Sequence, residues 1–429
     1  MGTEISLDVG GLTVDWSKNT RGNDHGMLFQ HGDRKRIRSD QINYEYFKEI
    51  GEEPESMEMA FCRPLKEMVS RLELLGFTLD NARQEYMTCV ETWKEDYLSL
   101  ADEGKKSSPD IMTFDEYCSF IKTNPIENLD ETFISSSDSE SRERVRGRFV
   151  DSALIRRLPY NYYADNNAYS ELSYFAGLIS FMHPYSILRL LSECESNINL
   201  EVIWQYGPLV DAGWASEDEF TPGARRSQVF LIATEGSSDT HILKHALSLL
   251  RPEIEDFFQF IDVSERHPFP GTGNLLKFAE GLIKIDIQNK IVLVFDNDAE
   301  GVDAYSRLLS WKLPSNMRAM VLPTLEEFRS FPARGPDGVA NADINGRAAA
   351  IECYLDLNLE AYPRANVIWT NYKNDMDVYQ GSLEYKESYT KAFLKQTVET
   401  VNAGKYSVDN LRIVLDSLVT ECCTIAKNS

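Results

Sequence analysis

The stretch IVLVFDNDAEG, residues 291–301, decides how the second half of this chain is read. Five apolar residues, Ile291 to Phe295, run straight into Asp296-Asn297-Asp298, and Gly301 follows shortly after. An apolar run of this length is what a buried strand needs. On an extended backbone, side chains two apart leave the same face, so Asp296 and Asp298 would emerge together. Two like charges held that close repel unless a proton or a cation sits between them. The pair therefore either caps a helix starting near Ala299 or holds a metal.

Working outward, strands and helices alternate on both sides of this stretch. QVFLIATEG (228–236) reads as a strand, and SSDTHILKHALSLL (237–250) as a helix opened by a Ser/Asp cap. FFQFIDVS (257–264) is a second strand, followed by a glycine turn and the helix NLLKFAEGLIKI (274–285). KIVLVFD (290–296) is the third strand, with AEGVDAYSRLLSWK (299–312) as its helix. MRAMVLP (317–323) is the fourth, INGRAAAIECYLDL (344–357) a helix, and NVIWTNY (366–372) the fifth strand. Such alternation predicts βαβ units and an α/β fold built on a mainly parallel sheet.

Ligand groups in these sheets gather at the carboxyl ends of the strands. Asp296 and Asp298 stand at such an end. Glu235 ends the first strand, and Asp239 lies in the first turn of the helix after it. With the first strand placed near the third, four carboxylates converge, with no histidine or cysteine close by in sequence. Hard oxygen ligands of this kind suit Mg²⁺ or Mn²⁺ rather than zinc.

A strand ending in Glu-Gly, a βα unit, and then an Asp-x-Asp-x-x-Gly strand end resemble the Toprim fold of topoisomerases, primases, small ribosomal-RNA maturases and OLD-family nucleases. The resemblance covers residues 227–395. It implies that Glu235 is the Toprim glutamate and that Asp296 and Asp298 are its aspartate pair. Asp239 resembles the extra acid of the OLD-like branch, and Glu352, in AAAIECYL, its later acidic ligand. That branch tends to carry a serine two residues before this acid, where this chain has Ala350. It also places a late lysine near the scissile phosphate. Lys386, in DVYQGSLEYKESY (377–389), is the match, and the other reading of Lys386 is a solvated lysine. What the resemblance implies is a nuclease with one or two divalent ions bridging Glu235, Asp239, Asp296, Asp298 and Glu352.

The first half has a different texture. Ile5, Leu7 and Val9 alternate, Gly10-Gly11 intervenes, and Leu12, Val14 and Trp16 alternate again, which predicts a β-hairpin. The opening MGTEIS also fits the loose N-myristoylation pattern through Gly2 and Ser6. Helical patterns follow around 57–76, 80–100 and 168–196. An acidic, serine-rich stretch (ENLDETFISSSDSESRE, 127–143) reads as a solvated linker or loop. SRERVRGRFVDSALIRRL (141–158) carries Arg142, Arg144, Arg146, Arg148, Arg156 and Arg157 around a thin apolar stripe. That pattern serves either a solvated, ion-paired helix face or a nucleic-acid or partner surface. Thr221-Pro222-Gly223 punctuates the boundary. The expected domains are residues 1–226, a Toprim domain at 227–395, and a C-terminal helix at 396–429.

MGTEISLDVGGLTVDWSKNTRGNDHGMLFQ (1–30) is similar to the N-terminal domain of bacterial HEPN/Toprim proteins, which implies a mostly α, HEPN-like first half. HEPN ribonucleases use an arginine, four to six residues, and then a histidine. Arg21 and His25 are separated by only three residues, and no other histidine has an arginine at that distance. The helical half is therefore expected to recognise rather than cut.

Composition sets further limits. The 429 residues carry a formal net charge of −24, so bulk attraction does not draw nucleic acid to this chain. Seven scattered cysteines without a CxxC pair point to a reducing cytoplasm and no zinc site. No apolar run approaches the ~18–20 residues of a membrane span. His241 and His245 stand at i and i+4 on a helix, a spacing that holds a metal or simply packs, but no HExxH accompanies them. Gly271-Thr-Gly273 before a helix either cradles a phosphate or makes a turn. No GxxxxGK[ST] occurs, which excludes a P-loop in this chain.

The expected activity is metal-dependent hydrolysis of nucleic-acid phosphodiester bonds, in the setting the resemblance implies, an anti-phage defence effector of bacteria. Expected partners are a DNA or RNA substrate and a second copy or a separate sensor or ATPase subunit, with no membrane. The alternatives are nucleotidyl transfer or strand passage, as in primases and topoisomerases, and a non-catalytic module that binds phosphate. Against primase stands the missing zinc-binding cysteine set. Against topoisomerase stands the absence of a DNA-gate architecture around a nucleophilic tyrosine.

Overall fold

The computed structural model describes residues 2–38, 42–100, 110–135, 139–150, 152–166, 168–261, 271–336, 338–359, 362–374 and 376–428. Residues 136–138 of the acidic stretch and 262–264 of the expected second strand lie outside these. The chain divides into two units, Met1–Ala224 and Arg225–Ser429. Among the described residues no helix is long and apolar enough to cross a membrane. All seven cysteines are free thiols.

In the first unit the expected hairpin, β1 (Glu4–Val9) and β2 (Leu12–Lys18), is one side of a larger sheet. β3 (Arg34–Arg36), β4 (Met59–Pro64) and β5 (Glu201–Gln205) complete five antiparallel strands in the order β2-β1-β5-β4-β3. The region around 57–76 was expected to be helical throughout, and its first part is strand β4. Four consecutive residues of β4, Ala60 to Arg63, are buried, so it shows no period-two signal against which a helix reading could fail. The unit's helices are α1 (Tyr44–Ile50), α2 (Leu65–Leu74), α3 (Leu79–Leu100), α4 (Phe114–Lys122), α5 (Ser139–Arg146), α6 (Glu171–Ile179), α7 (Pro184–Leu191) and α8 (Gly207–Asp211). Leu7, Val9, Phe61, Val202 and Trp204 of the sheet share one core with Met68, Leu72, Phe175 and Leu188 of the helices.

The second unit is a three-layer α/β/α arrangement. Its main sheet comprises β6 (Phe230–Thr234), β7 (Phe258–Phe260), β8 (Lys290–Phe295) and, after the two-residue β9 (Asn297–Asp298), β10 (Met317–Val321). These run parallel in the order β10-β8-β6-β7, so the first and third expected strands are direct neighbours. β8 is central and buried on both faces, which explains its unbroken apolar run. Ile291, Leu293 and Phe295 pack with α10 (Thr272–Lys284) and α11 (Ala299–Leu309), while α9 (Ser237–Leu250) covers the other face.

The remainder departs from the expected continuation of that sheet. β11 (Phe331–Gly335), β12 (Gly338–Ala342), β14 (Val367–Lys373) and β15 (Val378–Leu383) make a separate mixed sheet in the order β12-β11-β14-β15. The expected fifth strand is β14 of this sheet, where it pairs parallel with β11 and antiparallel with β15. The expected helix at 344–357 is also absent. Ala348–Ala349 form β13, paired antiparallel with β9, and Ile351–Tyr354 form a single 3₁₀ turn. Alanine and leucine content there favours a helix, but pairing with the Asp-Asn-Asp segment wins. The chain ends in α12 (Lys386–Phe393), α13 (Val398–Asn402) and α14 (Asp409–Lys427), and α14 packs on β8, β10 and α9 within the same unit.

Arg71 is a fixed point of the first unit. It is fully buried and donates to the carbonyls of Met27 (2.8 Å) and Phe29 (3.2 Å). Arg71→Met leaves those carbonyls without this donor, and we expect urea denaturation to show a loss of about 2–4 kcal/mol. A loss within about 0.5 kcal/mol, the range of an ordinary surface substitution, would contradict that role.

Candidate functional site

β6 and β8 end side by side, and each delivers an acid there. Glu235 follows β6, and its Oε1 accepts the backbone N–H of Asp296 at 3.0 Å, which stitches the two strand ends together. Asp239 lies in the first turn of α9, where Oδ2 accepts the N–H of Gly236 at 2.8 Å and Oδ1 the Ser238 hydroxyl at 3.2 Å. Asp296 Oδ1 accepts the N–H of Ile351 at 3.0 Å, which brings the 3₁₀ turn carrying Glu352 to the same place. Asp298 does cap α11: its Oδ1 accepts the Gly301 N–H at 2.8 Å, while Gln380 Nε2 donates to its Oδ2 at 2.6 Å. Asn297, buried between the two acids, accepts the Gly346 N–H at 2.8 Å. Gly301 is required by close approach. A Cβ there would collide with the carbonyl oxygen of Asp296 and lie 2.9 Å from Glu235 Oε1.

Electrostatics ties these acids into one group. Burial raises the Glu235 carboxyl to about 8, with Asp298, Asp239 and Glu300 adding to the rise. Burial, reinforced by Glu352, raises Asp239 to about 7, against the Gly236 and Ser238 hydrogen bonds and the Lys386 charge. Asp296 is pushed well above the carboxylate range by burial and by Asp239, Glu235, Asp298 and Glu352. Asp298 is raised by burial despite Gly301 and Gln380. Coulomb coupling acts over longer distances than the 2.0–2.6 Å of a metal–oxygen bond. Accordingly, among the described residues no three His, Cys, Asp or Glu side chains are arranged to hold an ion as they stand.

Other candidates fall elsewhere. His245 Nε2 lies 3.1 Å from the Gln396 carbonyl with its ring edge-on to Phe393, so it serves packing. Gly271 donates its N–H to the Glu235 carbonyl at 3.0 Å. Lys386 is exposed at the start of α12, whereas Lys373 bridges to Glu300 at 2.5 Å. In the first unit, Arg21 donates to the Glu219 carbonyl at 2.8 Å. His25 is buried between Asp15 (3.1 Å) and the Tyr185 hydroxyl (3.1 Å). The arginine-rich segment is not one helix. α5 stops at Arg146 because Gly147 takes φ +51°, and a Cβ there would strike Glu171. Arg146 pairs with Asp165, Arg148 with Glu171, and Arg157 with Asp110 and Glu116. Arg142, Arg144 and Arg156 are exposed. Gln380 and Glu300 are site residues that the sequence reading missed. Glu300 borders the motif itself, but Gln380 reaches Asp298 only through tertiary folding.

Residues 1–228 match the family described as HEPN/Toprim N-terminal domain 1. That is more than half of the 429 residues, and the chain belongs to the HEPN/Toprim proteins. Membership points to a Toprim-associated, nuclease-type enzyme. No curated protein and no solved structure gives a significant match.

The raised Glu235 fixes the sign of a pH effect. A carboxyl that binds its proton more tightly when folded stabilises the fold fully below its ordinary value near 4.5, and loses that contribution as pH rises through about 8. In EDTA, the melting temperature of the wild type should fall between about pH 5 and about pH 9 more than that of Glu235→Gln, whose amide cannot ionise. Parallel curves for the two proteins would show that the strand-end cluster does not titrate this way.

Proposed function

We propose that this chain is a divalent-metal-dependent nuclease that hydrolyses nucleic-acid phosphodiester bonds at the carboxyl ends of β6 and β8. The observation that carries the reading is the gathering of Glu235, Asp239, Asp296, Asp298 and Glu352 into one electrostatic group at those strand ends, Asp239 and Glu352 buried and the other three half-buried. A group this dense needs protons or cations among its oxygens. Five carboxylates fit one or two Mg²⁺ or Mn²⁺ ions, and the buried Cys353 thiol beside them stays protonated and donates to the Ala348 carbonyl at 3.6 Å. When bound, such ions neutralise phosphate charge and acidify water.

The chain's own residues have distinct tasks in this reading. Glu235, Asp239, Asp296, Asp298 and Glu352 are the metal-holding set. Gly236 and Ser238 orient Asp239, and Gln380 orients Asp298. Lys386, whose charge acts on Asp239, offers an ammonium to the phosphate, and Glu300 neutralises the competing Lys373. From the resemblance we take the setting to be bacterial, cytoplasmic and anti-phage, with control by a second copy or a sensor or ATPase subunit.

One observation favours a second reading. Both oxygens of Asp298 already accept hydrogen bonds, from Gly301 and Gln380, which satisfies this carboxylate without an ion, as in a module that holds nucleic acid without cutting it.

Incubating the purified chain with labelled DNA and RNA separates the two. The nuclease reading predicts Mg²⁺- or Mn²⁺-dependent cleavage that EDTA stops, and roughly a thousand-fold slower cleavage by Asp296→Asn. That variant should keep its circular dichroism, because removing one of several repelling carboxylates relieves strain. Cleavage by Asp296→Asn at the wild-type rate would remove this site from the chemistry. Metal-independent binding without cleavage would establish the second reading.

A further inference from the structure

At the other end of the main sheet from the acids, a cavity of about 530 Å³ is lined by Arg225, Arg226, Ser227, Gln288, Asn289 and Lys290, all of the second unit. It lies where β6 and β8 begin, since Phe230 and Lys290 are paired across those strands. Six residues separate Lys290, at the start of β8, from Asp296 just past its end. At about 3.3 Å per residue that is roughly 20 Å, so one phosphate cannot reach both. Ligands of such sheets ordinarily gather at the carboxyl ends, which leaves this cavity without a part in the chemistry proposed above.

The cavity presents cations on a fixed frame. Gln228 donates its N–H to the Arg225 carbonyl at 2.7 Å, and Arg225 donates its own to Gln228 Oε1 at 2.7 Å. Together these close a turn with Arg226 and Ser227 at its tip. The Lys290 ammonium lies 5.2 Å over the ring of fully buried Phe230, which holds its half-buried stem in place. Neither Arg226 nor Lys290 forms an ion pair with a described residue, and none of the residues lining the cavity is acidic. Burial pushes the Lys290 ammonium below its ordinary value, with only the Cys422 thiol acting the other way.

The basic strand of the first unit makes the contrast. Arg34, Lys35 and Arg36 also line a cavity, but Arg34 pairs with Glu217, Lys35 with Glu201, and Arg36 with Glu53, Glu55 and Glu58. In a chain of net charge −24, cations left without a carboxylate stand out. A cleft lined by one sign of charge concentrates the opposite sign, and guanidinium with ammonium groups suits phosphate oxygens. Size then selects among phosphates. A volume of about 530 Å³ is that of a small-molecule site, whereas a nucleic-acid strand needs a groove that tracks its backbone.

We infer that this cavity binds a compact ligand with two or more adjacent phosphate charges, pyrophosphate itself or the phosphoanhydride group of a nucleoside diphosphate. The site does not depend on the nuclease reading, and it is occupied separately from the acids.

The test is calorimetric titration of the full chain in EDTA, so that no metal ion bridges phosphate to the acids. The titrants are pyrophosphate, adenosine diphosphate, sulfate and a short single-stranded oligonucleotide, all at one ionic strength. Pyrophosphate or the nucleotide should bind at one site per chain, more tightly than sulfate, and the tighter of the two identifies the source of the phosphates. Arg226→Ala and Lys290→Gln should each weaken that binding by about ten-fold, and Arg226→Lys should restore most of it. Arg226 is exposed, so Arg226→Ala should keep the wild-type melting temperature, which separates loss of a charge from loss of the fold. Affinity that survives in the Arg226→Ala/Lys290→Gln double variant, or no preference over sulfate, would overturn the site. Binding of the oligonucleotide alone, lost in the same variants, would overturn the compact ligand and put a nucleic-acid backbone there.

Discussion

The withdrawal of neighbouring carboxylates from water, with their mutual repulsion added to it, is the constraint around which the second unit is arranged. Glu235 and Asp296 are brought together because β6 and β8 are hydrogen-bonded neighbours, and that pairing follows from the apolar runs that make both strands buried. Nothing in those strands compensates the charge they deliver. The surrounding elements do so instead, with backbone N–H groups from Gly236, Asp296, Gly301 and Ile351 each donating to one of the acids. The acids still stay above their ordinary range, because they are withdrawn from water and stand close to one another.

The second sheet makes sense as support for this place. β13 pairs with β9, so Asn297 and Asp298 are held in a short ladder rather than a free loop. β15 contributes Gln380, and the Gly381 N–H donates to the Arg347 carbonyl at 3.1 Å, joining the sheet to the segment that carries Ala348 and Glu352.

Much of the main sheet was legible because its signals are local. The apolar run into Asp296, the Glu-Gly after Phe230–Thr234, and the helices starting at Ser237 and Ala299 each declare themselves within a few residues. The region from 331 to 383 was less legible. Ala348–Ala349 and Glu352 lie in a segment with helix-forming composition, and only their pairing with β9 and Asp296 holds them extended or in a 3₁₀ turn. Gln380 could not be found from sequence, because its role is defined by a partner 82 residues away. In the first unit, β4 was read as helix because burial on both faces erased its alternation. The arginines of 141–158 were read as one helix because nothing in composition shows that Gly147 turns the chain onto Glu171.

The central claim is that the strand-end acids hold protons when no ion is present and release them to a divalent cation. Calorimetric titration of Mn²⁺ into the metal-free protein near pH 7, repeated in buffers of different ionisation heat, counts those protons directly. Binding should occur with net release of one or more protons per chain, lost in Asp296→Asn and diminishing as the pH rises past about 8. Binding without proton release, or no binding at the strand ends at all, would contradict it.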